Sequence, residues 1–252
     1  MKVSGFSFIR NAIKYDYPVK EAILSVLPLV DEFVVAVGNS DDATRELITS
    51  ICPEKIRIID TVWDDNLREG GRVLAVETDK AFRAVAADSD WCFYIQGDEV
   101  LHEQYIPVIR QAMEEHCHNR EVDGLLFKYL HFYGSYDYVG ESYRWYRYEI
   151  RVIKNNPAIY SYRDAQGFRK ENNNVLSVKQ IDAYIYHYGW VQSPEVMRQR
   201  RVNAEEIGYV KLDEKERTQA YDYGDLNRFP AYFGSHPKYM QRRIAEHQLS
   251  QE

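Results

Sequence analysis

Four apolar runs, at residues 3–9, 33–37, 56–62 and 91–95, constrain this 252-residue chain more than any other feature, because helical patterns separate them. Val19, Ala22, Ile23, Val26, Leu27 and Val30 recur at helical spacing up to or just past Pro28. Leu47, Ile48 and Ile51 mark a second helix. Leu74, Thr78, Ala81, Phe82 and Val85 mark a third, opened by Gly70-Gly71. The order is βαβαβαβ with strands that are apolar almost throughout, and such strands belong to a parallel sheet covered by helices on both faces.

Each run ends in polar residues: Arg10-Asn11, the stretch 39–42, Asp64-Asp65, and Asp98-Glu99. In a parallel sheet these four ends lie on one edge, where open α/β folds bind ligands. The last is the most informative. The run Trp91-Cys92-Phe93-Tyr94-Ile95 delivers Gln96-Gly97-Asp98-Glu99 to that edge, and an acidic strand end there suits a metal or a charged ligand. Residues 38–44, small and acidic, are expected to form a turn and helix N-cap.

Beyond residue 106 the pattern changes. Residues 106–117 read as a helix, 125–132 and 149–153 as strands of a mixed or antiparallel extension, 181–185 as a short strand, and 193–212 as a helix with Pro194-Glu195 in its first turn. The expected organisation is a domain over residues 1–190 with a helical C-terminal extension, 191–252, packed on it. Many of the 21 tyrosines follow residue 129, and aromatic rings bearing hydroxyls suit polar, ring-shaped ligands.

Charge narrows the function. A net charge of −7 argues against general nucleic-acid binding, which needs a basic face; the run Arg198-Gln199-Arg200-Arg201 reads as a solvated helix face. Cys52, Cys92 and Cys117 lack metal-like spacing and read as reduced, partly buried thiols. Residues 1–6 show no secretory pattern, and the apolar stretch 22–37 is broken by Pro28 and Asp31-Glu32, too short and charged to span a bilayer. A cytoplasmic location is expected, with peripheral membrane contact and oligomeric state left open.

Three motifs in this order resemble the family 2 glycosyltransferases, whose catalytic domain has the GT-A fold. Phe6-Ser7-Phe8-Ile9-Arg10-Asn11 looks like that family's nucleotide-binding opening. Asn39-Ser40-Asp41-Asp42-Ala43-Thr44 is similar to its Gly-Ser-Thr-Asp-Gly-Thr turn, and residues 91–99 resemble its strand ending in Asp-X-Asp-Glu. The likeness covers roughly residues 3–190. It departs at two positions: Gly38 stands where the family usually has an acid, and Gln96 replaces the first Asp of Asp-X-Asp, bringing a hydrogen-bonding oxygen but no charge.

The resemblance implies a GT-A fold, a nucleoside-diphosphate sugar donor, Mn²⁺ or Mg²⁺, and inverting transfer to a carbohydrate or glycolipid acceptor. Phe8, Arg10, Asn39, Asp42 and Gln96 would meet the donor, with Arg72 placed for a phosphate at a helix N-terminus. Asp98 would hold the metal, and one or two protein carboxylates suffice when phosphate and water supply the remaining ligands. His187, in Tyr186-His187-Tyr188-Gly189-Trp190, either completes that shell or is a packed, hydrogen-bonded histidine. The acceptor's proton needs a carboxylate. Of Glu141, Glu149 and Asp164, we favour Asp164, which could equally be a turn former before Gly167. Tyr133, Tyr136, Tyr138, Tyr143, Trp145, Tyr146 and Tyr148 would form either an acceptor platform or a small satellite core. A catalytically inactive sugar-nucleotide-binding module is the alternative function; a nucleotidyltransferase ranks lower because residues 7–12 lack a Gly-rich basic loop.

Overall fold

The computed structural model describes residues 1–64, 66–67, 69–140 and 145–249. The first half follows the expected alternation: β1 (Val3–Ile9), α1 (Val19–Val26), β2 (Glu32–Gly38), α2 (Thr44–Ile51), β3 (Ile56–Thr61), α3 (Arg72–Arg83) and β4 (Trp91–Tyr94). A three-residue strand, β5 (Glu99–Leu101), precedes α4 (Ile106–Glu115). Then come β6 (Gly124–Tyr133), β7 (Tyr148–Lys154), β8 (Ile159–Tyr162), β9 (Gly167–Lys170), β10 (Asn174–Val175) and the long β11 (Val178–Trp190). Helices α5 (Pro194–Glu206), α6 (Glu214–Thr218) and α7 (Gln241–Leu249) finish the chain.

Eight strands form one sheet in the order β3-β2-β1-β4-β7-β6-β11-β5. β3, β2, β1 and β4 are mutually parallel, as are β6 and β11; β7 and β5 run antiparallel to their neighbours. This is the mainly parallel α/β architecture, with flanking helices and a helical C-terminal part, expected of a GT-A fold. The smaller sheet, β10-β9-β8, is wholly antiparallel, and the mixed strands lie in the main sheet.

The apolar strands are buried on both faces because successive side chains point opposite ways. Phe33, Val35, Val37, Trp91, Phe93 and Ile95 pack with α1 and α4 through Ile23, Val26, Ile109 and Met113. Phe6, Val34, Ala36, Cys92 and Tyr94 pack on the other face with Ala81 and Phe82 of α3 and Phe168 of β9. The Phe6 ring stacks on Phe82 and Tyr94, each at 5.3 Å between centroids. A third cluster joins Val100, Phe132, Tyr136, Tyr186 and Tyr188 to Met240, fastening the C-terminal segment to the β11 side. All three cysteines are free thiols. Among the described residues no helix is long and apolar enough to cross a membrane.

Phe6 is wholly buried between the sheet and α3. Phe6→Ala is therefore expected to cost about 3–5 kcal/mol in urea unfolding; a loss below about 1 kcal/mol would mean that the α3 face closes without it.

Candidate active site

The parallel topology puts the ends of β1, β2 and β4 on one edge, and local hydrogen bonds fasten them together. Asn11, at φ 52°, accepts from the Asp41 amide through Oδ1 (2.9 Å), and its own amide donates to Ser40 Oγ (3.0 Å). Asp42 takes the Thr44 amide on Oδ1 (2.9 Å) and the Lys14 amide on Oδ2 (2.8 Å), so its two oxygens close the loop and start α2. Arg10 donates from Nε to the Asn39 carbonyl (3.2 Å) and lies 5.1 Å from the Trp63 ring, which also faces Phe8 at 6.0 Å. Trp63 explains Gly38: a Cβ there would fall 2.4 Å from the indole Nε1.

Asp98 and His187, far apart in sequence, meet at the end of β4. The Asp98 carbonyl accepts the Tyr188 amide at 2.8 Å, and Asp98 Oδ2 lies 3.7 Å from His187 Nε2. The strand carrying His187 is longer than residues 181–185, and places it between Glu99 of β5 and His131 of β6. Hydrogen bonding determines the imidazole tautomers. The Tyr146 carbonyl can only accept, so His131 donates to it from Nε2 (2.8 Å). Burial, with help from the neighbouring His187, depresses His131 to about 3, so this ring is neutral and its Nδ1 accepts from His187 Nδ1 at 3.2 Å. The other nitrogen of His187, Nε2, is turned toward Asp98.

Arg200 completes this corner and corrects the expectation of a solvated basic face. Arg198 and Arg201 pair with Glu195 and Glu216 on the outside of α5. Arg200, its side chain only 11% exposed, donates to Asp98 Oδ2 (3.1 Å) and to the Gly189 carbonyl (2.7 Å), and lies 4.2 Å from the Tyr17 ring. The roles diverge within one turn of helix, since residues three apart share a face that the residue between them leaves.

Glu99 is structural. Both it and Arg151 have no exposed side-chain surface, and they form a two-pronged pair at 2.7 and 2.8 Å. Tyr129 Oη and the Gln96 amide add donors to Glu99 at 2.8 and 3.1 Å. Burial, the largest single influence, pushes the Glu99 carboxyl up, but the Arg151 charge and the hydrogen bonds from Arg151 and the Gln96 amide together outweigh it and hold the group below the ordinary carboxylate range.

Beside this corner, a groove of about 680 Å³ brings Arg72 together with Asp164. Gly70 and Gly71, at φ 57° and 74°, turn the chain into α3, whose first residue is Arg72. A Cβ on Gly71 would sit 3.2 Å from Asp164 Cβ and 3.0 Å from the Tyr209 ring, so only glycine brings the helix N-terminus this close. Tyr209 is half exposed, and partial burial with the adjacent Asp164 charge raises its phenol. Arg163 and Ala165, on either side of Asp164, have φ values of 56° and 64°. Each costs about 1–2 kcal/mol, the kind of backbone strain concentrated at functional sites. Gln96 Nε2 donates to the Ala165 carbonyl (3.1 Å) and to Tyr94 Oη (3.2 Å).

Of the other candidates, Glu149 lies beneath the turn, accepting from Gln166 Nε2 at 2.8 Å, and burial raises its carboxyl. Glu141 and Tyr143 lie outside the described residues, as does Asp65. The aromatic set divides: Tyr136 belongs to the third core cluster, Trp145 lies 5.0 Å from His131, Tyr133 stacks near Phe229, and Tyr148 is exposed. Sequence inspection missed His131, Arg151, Arg200, Tyr209 and Trp63. Two of these, Arg200 and Tyr209, come from the segment after residue 190.

No protein-family model matches the chain, nor does any curated protein. Among solved structures, it is similar to Staphylococcus aureus TarS 1-349 in complex with UDP, at 19% identity over 86% of this chain and 68% of that one, with a TM-score of 0.47. It covers 41% of a longer TarS chain. It is also similar to glucosyl-3-phosphoglycerate synthase from Mycobacterium tuberculosis in complex with Mn²⁺, UDP and phosphoglyceric acid: 18% identity, 52% of this chain, 43% of that one, TM-score 0.34. A third is 4-diphosphocytidyl-2C-methyl-D-erythritolsynthase from Anaerococcus prevotii, at 11% identity over 76% of this chain and 91% of that one, with a TM-score of 0.42.

Removing one member of a buried ion pair strands the other's charge, so Arg151→Met should cost about 3–5 kcal/mol, most of it recovered by adding Glu99→Gln. A depressed Glu99 contributes stability above its unfolded value of about 4.3, lost as pH falls through the folded value. The double variant should therefore show a shallower loss of urea stability in acid. A double variant as unstable as Arg151→Met alone would contradict this assignment.

Proposed function

We propose that the chain is an inverting, divalent-metal-dependent glycosyltransferase that moves a sugar from a nucleoside-diphosphate sugar to a carbohydrate or glycolipid acceptor. The observation that supports it best is the meeting of Asp98 with His187 at the strand-end edge, beside a groove holding Arg72 and Asp164.

The residues fit a cation. Asp98 offers a carboxylate oxygen and His187 an imidazole nitrogen 3.7 Å away; the carboxylate suits Mn²⁺ or Mg²⁺, and because Mg²⁺ takes oxygen ligands the imidazole favours Mn²⁺. Among the described residues no group of three or more His, Cys, Asp or Glu gathers around one point, so phosphate oxygens and water would supply the other ligands. Charge leads to the same assignment. Arg200 is already engaged by Asp98 and the Gly189 carbonyl, so it brings no spare positive charge to a diphosphate. The cation would supply it, stabilising the charge that builds on the departing diphosphate.

The chain's own groups do the rest. Arg72, at the N-terminus of α3, faces the groove with a full charge added to the helix's partial one. Arg10, Phe8 and Asn39 line the adjoining end of β1 and β2 for the nucleoside, with Trp63 as a flat neighbour. Asp164 takes the proton from the acceptor hydroxyl as the new glycosidic bond forms opposite the departing diphosphate.

Incubation with UDP-, GDP- and dTDP-sugars plus Mn²⁺ should reveal binding and slow donor hydrolysis with at least one of them. EDTA and Asp98→Asn should each abolish it. Asp164→Asn should lower kcat about 10²–10⁴-fold in transfer to an accepted acceptor while leaving donor affinity in place. Donor binding without turnover in the unmodified protein would favour the inactive binding module; no binding of any donor would sink both readings.

A further inference from the structure

We propose that Gln96 is a positioning residue: its side-chain amide holds the strained turn that carries Asp164 against the end of β4, a task the acid of an Asp-X-Asp motif could not perform. The inference rests on the reading of Asp164 as the base and deepens it.

The chemistry of the contact leaves one orientation for the amide. Gln96 lies 3.1 Å from the Ala165 carbonyl, which has no proton to give, so the atom there must be the NH₂ group. A carboxylate reaching the same point would set acceptor against acceptor. The second Nε2 proton is directed at Tyr94 Oη, and the Gln96 main-chain amide donates to Glu99 Oε2 at 3.1 Å. Gln96 is thus anchored to the buried ion pair by its backbone and to the turn by its side chain.

The turn needs such anchoring. Arg163 and Ala165 flank Asp164 in left-handed backbone conformations that non-glycine residues disfavour. Two ties hold consecutive carbonyls: Gln96 Nε2 on Ala165, and Arg151 Nη1 on Gln166 at 3.0 Å. A strained turn persists only when its surroundings over-determine it. Without the first tie, Asp164 would lose its fixed position relative to the donor corner.

Gln96→Leu and Gln96→Glu would test this by steady-state kinetics, pH–rate profiles and amide exchange across the 159–170 hairpin. Gln96→Leu should lower kcat about 10- to 100-fold, the loss expected of a reacting group displaced by about 1 Å. Donor KM should change by no more than about threefold, with faster exchange in the hairpin. Gln96→Glu should regain part of its kcat, relative to Gln96→Leu, at a pH low enough to protonate the new carboxyl, whose O–H can then donate to Ala165. Unchanged kcat and exchange in Gln96→Leu would overturn the proposal, as would a donor KM that rises in step with lost kcat/KM, the mark of direct nucleoside contact. If the unmodified protein transfers no sugar from any donor, the transferase reading fails, and the exchange measurement alone decides the role of Gln96.

Discussion

The buried Glu99–Arg151 pair is the interaction on which the site's geometry depends. Neither side chain reaches solvent, and each charge is satisfied only by the other and by groups around it. Glu99 lies immediately after Asp98, so fixing it fixes the end of β4, the Gln96 amide and the short edge strand β5. Arg151 lies on β7, next to β4 in the sheet, and its Nη1 donates to the Ile150 and Gln166 carbonyls. One ion pair therefore aligns the proposed metal corner with the turn that carries Asp164. Desolvating two charges is expensive, and removing either partner would leave the other's charge buried and unpaired.

The remaining order comes from the sheet. Parallel β1, β2 and β4 bring Arg10, Asn39 and Asp98 to one edge without any of them touching in sequence. β11 then lays His187 beside Glu99 and across from His131, and the hydrogen bonds from Tyr146 through His131 put a proton on His187 Nδ1. The segment after residue 190 contributes Arg200 to the acidic corner and Tyr209 to the groove.

The first half was legible because its strands are apolar on both faces and its helices keep a clean 3.6-residue period, so β1 to β4 and α1 to α3 could be placed from residue type alone. Asp98 was legible as a strand end. Glu99 was misleading, since two adjacent acids read as one acidic terminus; its burial depends on Arg151, 52 residues on, and local pattern carries no information about that pairing. The sheet β8–β10 is short and polar in part, which leaves no periodicity to detect. Arg200 was obscured by its charged neighbours Arg198 and Arg201, which pair with Glu195 and Glu216 instead. His131 emerges only from the β6–β11 register, which tertiary packing determines.

A crystal structure with UDP and Mn²⁺ is the most direct measurement of the central claim, that Asp98 and His187 form the protein's side of a cation site serving a nucleoside diphosphate. An anomalous manganese peak is expected between Asp98 Oδ2, His187 Nε2 and the diphosphate, with the nucleoside over the ends of β1 and β2 and Asp164 facing the open side of the groove. UDP bound elsewhere, or at that edge with no metal and the Arg200–Asp98 pair intact, would contradict it.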